Sequence, residues 1–363
     1  MKNKAIKSLG FLTVASLIST SALAQVTVSG YVEAGFLTGN NTGLARASSQ
    51  GIGGESVVTI TGKGNLTNGW TYMAYQNLDI DDAGNGRNAD TRNNPMSTRA
   101  IELSPNKDIK LFYTYDGVYG GEIARTAVPT VTERVADLTG SGGLSEFIDV
   151  TSGSHAFGFE VLNAGPAGRL SVAYNPNLEA VAQSSSDRTA AATLQTAPIS
   201  AASGYSVGYS VTPGPVKIAL GMTKIDQQHN AAAKDATSKT LGVTYTASEF
   251  AIGAQRTKND GTKAALLTTA NIEDTIDTVA ASFKANKEVT LGVSYSEMER
   301  TGVSITKGPD LKVYQAVIAY NLGPVVASIA YEDAKNAPTL GTNLATTSGQ
   351  DAQTTKIKVK ANF

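Results

Sequence analysis

The sequence predicts an all-β fold: a transmembrane, antiparallel, up-and-down β-barrel, with sixteen strands as its count of extended segments. Three observations point there. Apolar and polar side chains alternate with period two through nearly all of residues 25–363. Tight turns and long polar loops take strict turns in joining the alternating segments. No stretch after residue 24 has the run of about 20 apolar residues that a membrane-spanning helix needs, so any crossing must be made by strands.

The alternation is plainest in Tyr205-Ser-Val207-Gly-Tyr209-Ser-Val211 and Val289-Thr-Leu291-Gly-Val293-Ser-Tyr295. Val216-Lys-Ile218-Ala-Leu220-Gly-Met222 and Leu241-Gly-Val243-Thr-Tyr245 repeat it. Successive side chains of a strand point to opposite faces, so each segment has an aliphatic or aromatic face and a face of Ser, Thr, Gly or Lys. Such segments fall near 26–38, 56–66, 70–80, 97–104, 109–115, 154–162, 169–175, 204–212, 216–223, 239–246, 250–256, 275–285, 289–299, 312–321, 325–333 and 354–363. An even count suits a bacterial single-chain barrel.

The short connections carry turn-forming residues: Thr67-Asn68-Gly69, Pro105 to Asp108, Asn163 to Gly168, Pro213-Gly214-Pro215, Ala247 to Glu249, Asn286 to Glu288 and Leu322-Gly323-Pro324. These residues supply positive φ or a preset φ. The long loops span about 39–55, 81–96, 116–153, 176–203, 224–238, 257–274, 300–311 and 334–353. Short turns at one end and long loops at the other are the pattern of an outer-membrane barrel.

Every tyrosine except Tyr119 falls in a predicted strand, and Tyr113, Tyr115, Tyr174, Tyr205, Tyr295 and Tyr331 lie near strand ends. Amphipathic rings at the edges of an apolar band form an interfacial girdle. In the last strand Ile357, Val359, Ala361 and Phe363 share one face, while Lys356, Lys358, Lys360 and Asn362 share the other. A face of lysines needs water, and barrels of about 16–18 strands are wide enough to leave an aqueous channel.

Residues 1–24 read as a signal peptide. Lys2, Lys4 and Lys7 precede an apolar core from Leu9 to Ile18, and Ala22-Leu23-Ala24 is a small-x-small cleavage site. The barrel domain is then 25–363. Loss of the leader's lysines takes the net charge from −1 to −4, which argues against nucleic acid as a partner. There is no Cys, so neither disulfides nor thiol chemistry hold or serve this fold.

At both ends of the chain the residues resemble the general porins of Gram-negative bacteria. Val26-Thr-Val28-Ser-Gly30-Tyr31-Val32-Glu33-Ala34-Gly35 is similar to that family's first strand, Gly62-Lys-Gly-Asn65-Leu66-Thr-Asn-Gly69 to its second-strand turn, and Tyr115-Asp116 to the strand end before its third loop. Terminal Phe363, with apolar residues at alternate positions before it, resembles the family's assembly signal, read by the barrel-assembly machinery. The resemblance implies passive diffusion of small hydrophilic solutes and ions across the outer membrane, a homotrimer in outer-membrane lipid, and a long third loop folded into the lumen. It also implies a constriction in which acids of that loop face bases of the wall. The loop, 116–153, carries Asp116, Glu122, Glu133, Asp137, Glu146 and Asp149 against Arg125 and Arg134. The candidate wall bases are Lys63, Arg99, Lys110, Arg169 and Lys217. Where the family's second strand often carries Arg, this chain has Val57 and Thr61. The acidic loop predicts a weak preference for cations, which rows of wall bases would reverse.

No cofactor, metal or catalytic residue is expected. Asp79-Ile-Asp81-Asp82-Ala-Gly84-Asn85 resembles a calcium loop only faintly, because Ala83 cannot supply an oxygen at the fifth position. A hydrolase would need a base beside a nucleophile; His155 and His229 are the only histidines, and neither sits in such a constellation. A substrate-specific channel would line its path with aromatics, but on the polar parity Met73, Tyr75 and Phe112 read as scattered. A plugged structural or adhesive barrel would need a folded plug, for which only the third loop is long enough.

Overall fold

In the computed structural model, the described residues are 25–41, 51–81, 96–125, 127–132, 150–151, 155–164, 168–178, 202–226, 235–260, 272–302, 310–337 and 350–363. They form sixteen strands: β1 Gln25–Asn41, β2 Gly51–Asn65, β3 Thr71–Asp81, β4 Met96–Asn106, β5 Ile109–Tyr115, β6 His155–Ala164, β7 Gly168–Leu178, β8 Ala202–Val211, β9 Val216–Asp226, β10 Ala236–Thr246, β11 Phe250–Asp260, β12 Ile272–Lys284, β13 Val289–Gly302, β14 Leu311–Leu322, β15 Val325–Ala337 and β16 Gln350–Asn362. Each pairs antiparallel with its neighbours in sequence, and β16 returns to β1, so the sheet is a closed barrel without an edge.

The seam of that closure runs from Tyr31↔Asn362 to Asn41↔Ala352. Beyond it, the Gly30 amide donates to the Phe363 carbonyl at 2.9 Å and the Phe363 amide donates to the Gly30 carbonyl at 3.0 Å. The seam leaves no row of unpaired amides, the requirement that lipid imposes on a spanning sheet.

Burial is inside out. Along β14 the pattern alternates strictly: Val313, Gln315, Val317 and Ala319 are buried on the lumen side, while Tyr314, Ala316, Ile318 and Tyr320 are exposed on the outside. On β10 the buried members are Ser238, Thr240, Gly242 and Thr244, and Leu241, Val243 and Tyr245 face outward. Large exposed apolar residues are what an antiparallel sheet presents when hydrocarbon is its outer solvent.

The tight turns are built by their own side chains. Asn106 Oδ1 accepts from the amides of Asp108 (2.9 Å) and Ile109 (3.0 Å), and Asn286 Oδ1 does the same for Glu288 (2.8 Å) and Val289 (2.7 Å). Gly69, Gly214 and Gly323 take positive φ at three other turns, a conformation that disfavours a Cβ.

Two expectations are corrected. The strands run beyond the predicted alternation at the long-loop end: β1 reaches Asn41, β2 starts at Gly51 and β16 at Gln350. Ladder pairing continues above the apolar band, where polar residues on both faces erase the period-two signal. The lumen side is also less polar than read. Ile276, Met298, Leu311, Val313, Ala334 and Ala352 form a buried apolar cluster there.

Replacing Ile318, which is 54% exposed on the outer face near the middle of β14, with Lys is expected to cost ~2–4 kcal/mol if it lies near mid-bilayer. Urea titration in lipid vesicles is the check, with lumen-facing Ser294→Lys expected to cost far less. Equal costs would refute the assignment of faces.

Candidate functional site

The third long loop leaves β5 at Asp116, whose positive φ of 56° turns the chain inward. Tyr119 is the first anchor. Its ring stacks on Phe112 of β5 with centroids 4.0 Å apart and planes at 19°. Its hydroxyl donates to Glu102 of β4 at 2.7 Å. Glu102 in turn pairs with Lys110 of β5 at 2.9 Å. Burial, reinforced by the bond to Glu102, pushes the Tyr119 hydroxyl far above the ordinary tyrosine range, so it stays a donor. Around this ring Ala100, Ala156, Ala173 and Val150 close a small apolar cluster, with Tyr75 packed against it.

From there the loop follows the inner wall. A single 3-10 turn, Gly120–Ala124, starts it. The Gly120 amide donates to Ser171 Oγ of β7 at 2.7 Å, and the Gly121 amide to Ser206 Oγ of β8 at 3.1 Å. Further along, Gln255 of β11 accepts from the Ala127 amide at 2.9 Å and donates to the Arg125 carbonyl at 2.8 Å. Thr244 of β10 donates to the Ala127 carbonyl. Finally Val131 packs on Val317 and Ala330 of β14 and β15.

Glycine at the lumen parity makes this close approach possible. A Cβ at Gly208 would overlap the Gly120 carbonyl, one at Gly242 the Ala127 methyl, and one at Gly292 the Val131 side chain. At Gly221 it would lie 3.2 Å from the Ala124 Cβ, and at Gly253 2.9 Å from Pro129 Cδ. The glycines sit on β8, β9, β10, β11 and β13, a stepped track across the wall.

The structure places the predicted site residues as follows. Asp116, Glu122 and Arg125 lie on the wall-following stretch, and Arg125 pairs with Glu122 at 2.8 Å. Glu133, Arg134, Asp137, Glu146 and Asp149 lie outside the described residues. Of the wall bases, Lys63, Lys110, Arg169 and Lys217 have lumen parity. Lys110 is bound to Glu102, and Arg169 Nε donates to Glu160 at 3.0 Å. Arg99 is corrected: it pairs with Gln76 and Tyr115, on the parity of outward-facing Ile101, and its guanidinium lies 4.7 Å over the Tyr115 ring. Irregular pairing on both sides of β4 accompanies this outward placement. Phe363 closes the seam, its ring lying over Gly30. His155 sits on the outer face against Tyr113, whose hydroxyl is 2.7 Å from Nδ1; His229 is outside the described residues.

Sequence reading missed Tyr119, Ser171, Ser206 and Gln255, and took Tyr75 and Phe112 as scattered when they belong to one anchor. The available signal was glycine inside strands on the polar parity, which marks a close approach by another backbone.

The fold is similar to those of known structures. The chain matches an anion-selective porin from Comamonas acidovorans with a TM-score of 0.62 at 16% identity, covering 94% of this chain and 100% of that one. A Rhodopseudomonas blastica porin variant matches at 0.61 and 12%, covering 93% and 100%. An outer-membrane protein of Vibrio cholerae matches at 0.62 and 11%, covering 94% and 98%. No curated protein sequence matches the chain. Residues 12–103 match the family model of Gram-negative porins. Among the described residues, the loop is seated on β4, β5, β7–β11 and β13–β15.

Gly242→Val is expected to push the Ala127 stretch off the wall and toward the lumen axis, lowering single-channel conductance while the barrel still folds. A conductance equal to that of the unaltered protein would show that the track does not position the loop.

Proposed function

We propose that this chain is a porin, a passive diffusion channel of the outer membrane for small hydrophilic solutes and ions. The observation that carries the reading is the opposition of the two faces of one closed sixteen-strand sheet: apolar outside, largely hydrophilic and water-compatible inside. A sheet of that strand number encloses an aqueous path, and diffusion through it needs no chemistry from the protein.

Residues 1–24 serve as the signal peptide in this proposal, and Phe363 as part of the signal read by the barrel-assembly machinery. The homotrimer has a candidate face. Outward rings such as Tyr113, Tyr174, Tyr245, Phe283, Tyr314 and Tyr331 girdle β5 to β15. Around β1 and β2 the outward positions are mostly aliphatic or Gly, Val26, Val28, Gly30, Val32, Ala34, Val58, Ile60 and Gly62, with Phe36 as the one ring. In the constriction, the loop's Asp116 and Glu122 stand for the acids that solutes pass.

In a planar bilayer the purified protein is expected to give discrete, ohmic conductance steps, arriving in threes if trimers insert. An electrically silent bilayer, or a mature chain soluble without detergent, would overturn the channel. Deleting Phe363 is expected to lower the amount of assembled barrel in the outer membrane while export across the inner membrane continues. Undiminished assembly would remove that role from the residue.

A further inference from the structure

We infer that the tight-turn mouth of the lumen is a binding site for multivalent anions, an inference that rests on the channel reading. Six strands each place one base at lumen parity within two residues of their tight-turn end: Lys63, Lys110, Arg169, Lys217, Lys284 and Lys360. They form a ring around a single mouth. Two of them are cancelled on the wall itself, Lys110 by Glu102 and Arg169 by Glu160. The other four have no carboxylate within ion-pair distance among the described residues. Lys63 and Lys284 are exposed, and Lys217 and Lys360 are half-buried. The Lys360 ammonium lies 3.3 Å from the centroid of the Tyr31 ring, which holds it at the wall.

Glu33 lies opposite Lys360 across the seam, but its carboxylate pairs with Lys356 at 3.3 Å and Lys358 at 3.2 Å. The other acids near this mouth, Asp108, Glu249 and Glu288, belong to the turns beyond the strand ends, where Lys107 and Lys287 also lie. Cations of one sign around a water-filled opening with low-dielectric walls focus their field into it. Chloride meets that field with one charge. A linear polyphosphate or a similar multivalent anion can engage several ammonium groups at once, and it gains most where salt screening is weak, with a Debye length of about 10 Å at 0.1 M.

The test uses single channels of the whole mature protein in a planar bilayer at 0.1 M KCl, with inorganic tripolyphosphate as the probe. The probe is added to one chamber, washed out, and then added to the other. Block is expected from one chamber at a concentration about tenfold or more below that needed from the other. It is expected to weaken by a similar factor in 1 M KCl. The combined variant Lys63→Gln, Lys217→Gln, Lys284→Gln, Lys360→Gln is expected to lose the one-sidedness. The matching four-fold Lys→Arg variant is expected to keep it, which separates lost charge from a damaged barrel. Equal block from both chambers, or one-sided block that survives the Gln variant, would overturn the inference while leaving the channel intact. If the Gln variant does not assemble, one-sided block by the unaltered protein that is insensitive to salt would overturn it. A bilayer with no steps at all would overturn the channel reading and this site together.

Discussion

Hydrocarbon offers no partner to a backbone amide, and the whole molecule follows from that. Each strand must be paired along both sides, so β16 has to come back to β1 and the sheet has to close. Closure makes an inside and an outside that meet different solvents, and period-two side chains sort between them. Leu241, Val243 and Tyr245 are therefore exposed while Ser238, Thr240 and Thr244 of the same strand are buried. In a soluble protein that distribution would be a fault; here it is the condition for standing in a membrane.

The inner wall has its own division of labour. Where the third loop leaves its strand, charges are matched locally, with Tyr119, Glu102 and Lys110 in one chain of contacts and Glu160 with Arg169 beside it. Paired charges act at short range and hold structure; their fields largely cancel a few ångströms away. Bases that reach far into the water are those without such partners, and among the described lumen residues these gather at the tight-turn end. The same residue type thus fastens a loop in one place and sets a potential in another, depending on whether a carboxylate stands on the next strand.

The fold was legible in the sequence because a barrel strand is a repeating local statement: Val216 to Met222 declares two faces without reference to anything distant. The turns were legible for the same reason, since Asn106, Asn286 and Gly214 act on their nearest neighbours. The site was not, because it is made by distant pairings. Gln255 and Ala127 are joined across 128 positions, and no local pattern ties them. Arg99 shows how little suffices to mislead: β4 pairs irregularly on both sides, with register shifts between Gln76 and Leu78 and between Leu103 and Asn106, and one residue of phase moves a side chain from water to the outer face. The apolar lumen residues of β14 were hidden too, since a valine that meets another part of the chain reads the same as one that meets lipid.

The stepped glycine track ties the loop to strands that lie far ahead of it in the chain. The segment that lies on it is made before β8, β9, β10, β11 and β13, the strands that carry the glycines. Its resting place does not exist until those later hairpins have joined and the cylinder has begun to curve around it. The loop's amides meet Ser171, Ser206 and Gln255 only where those strands stand side by side, so the seat and the wall are completed together.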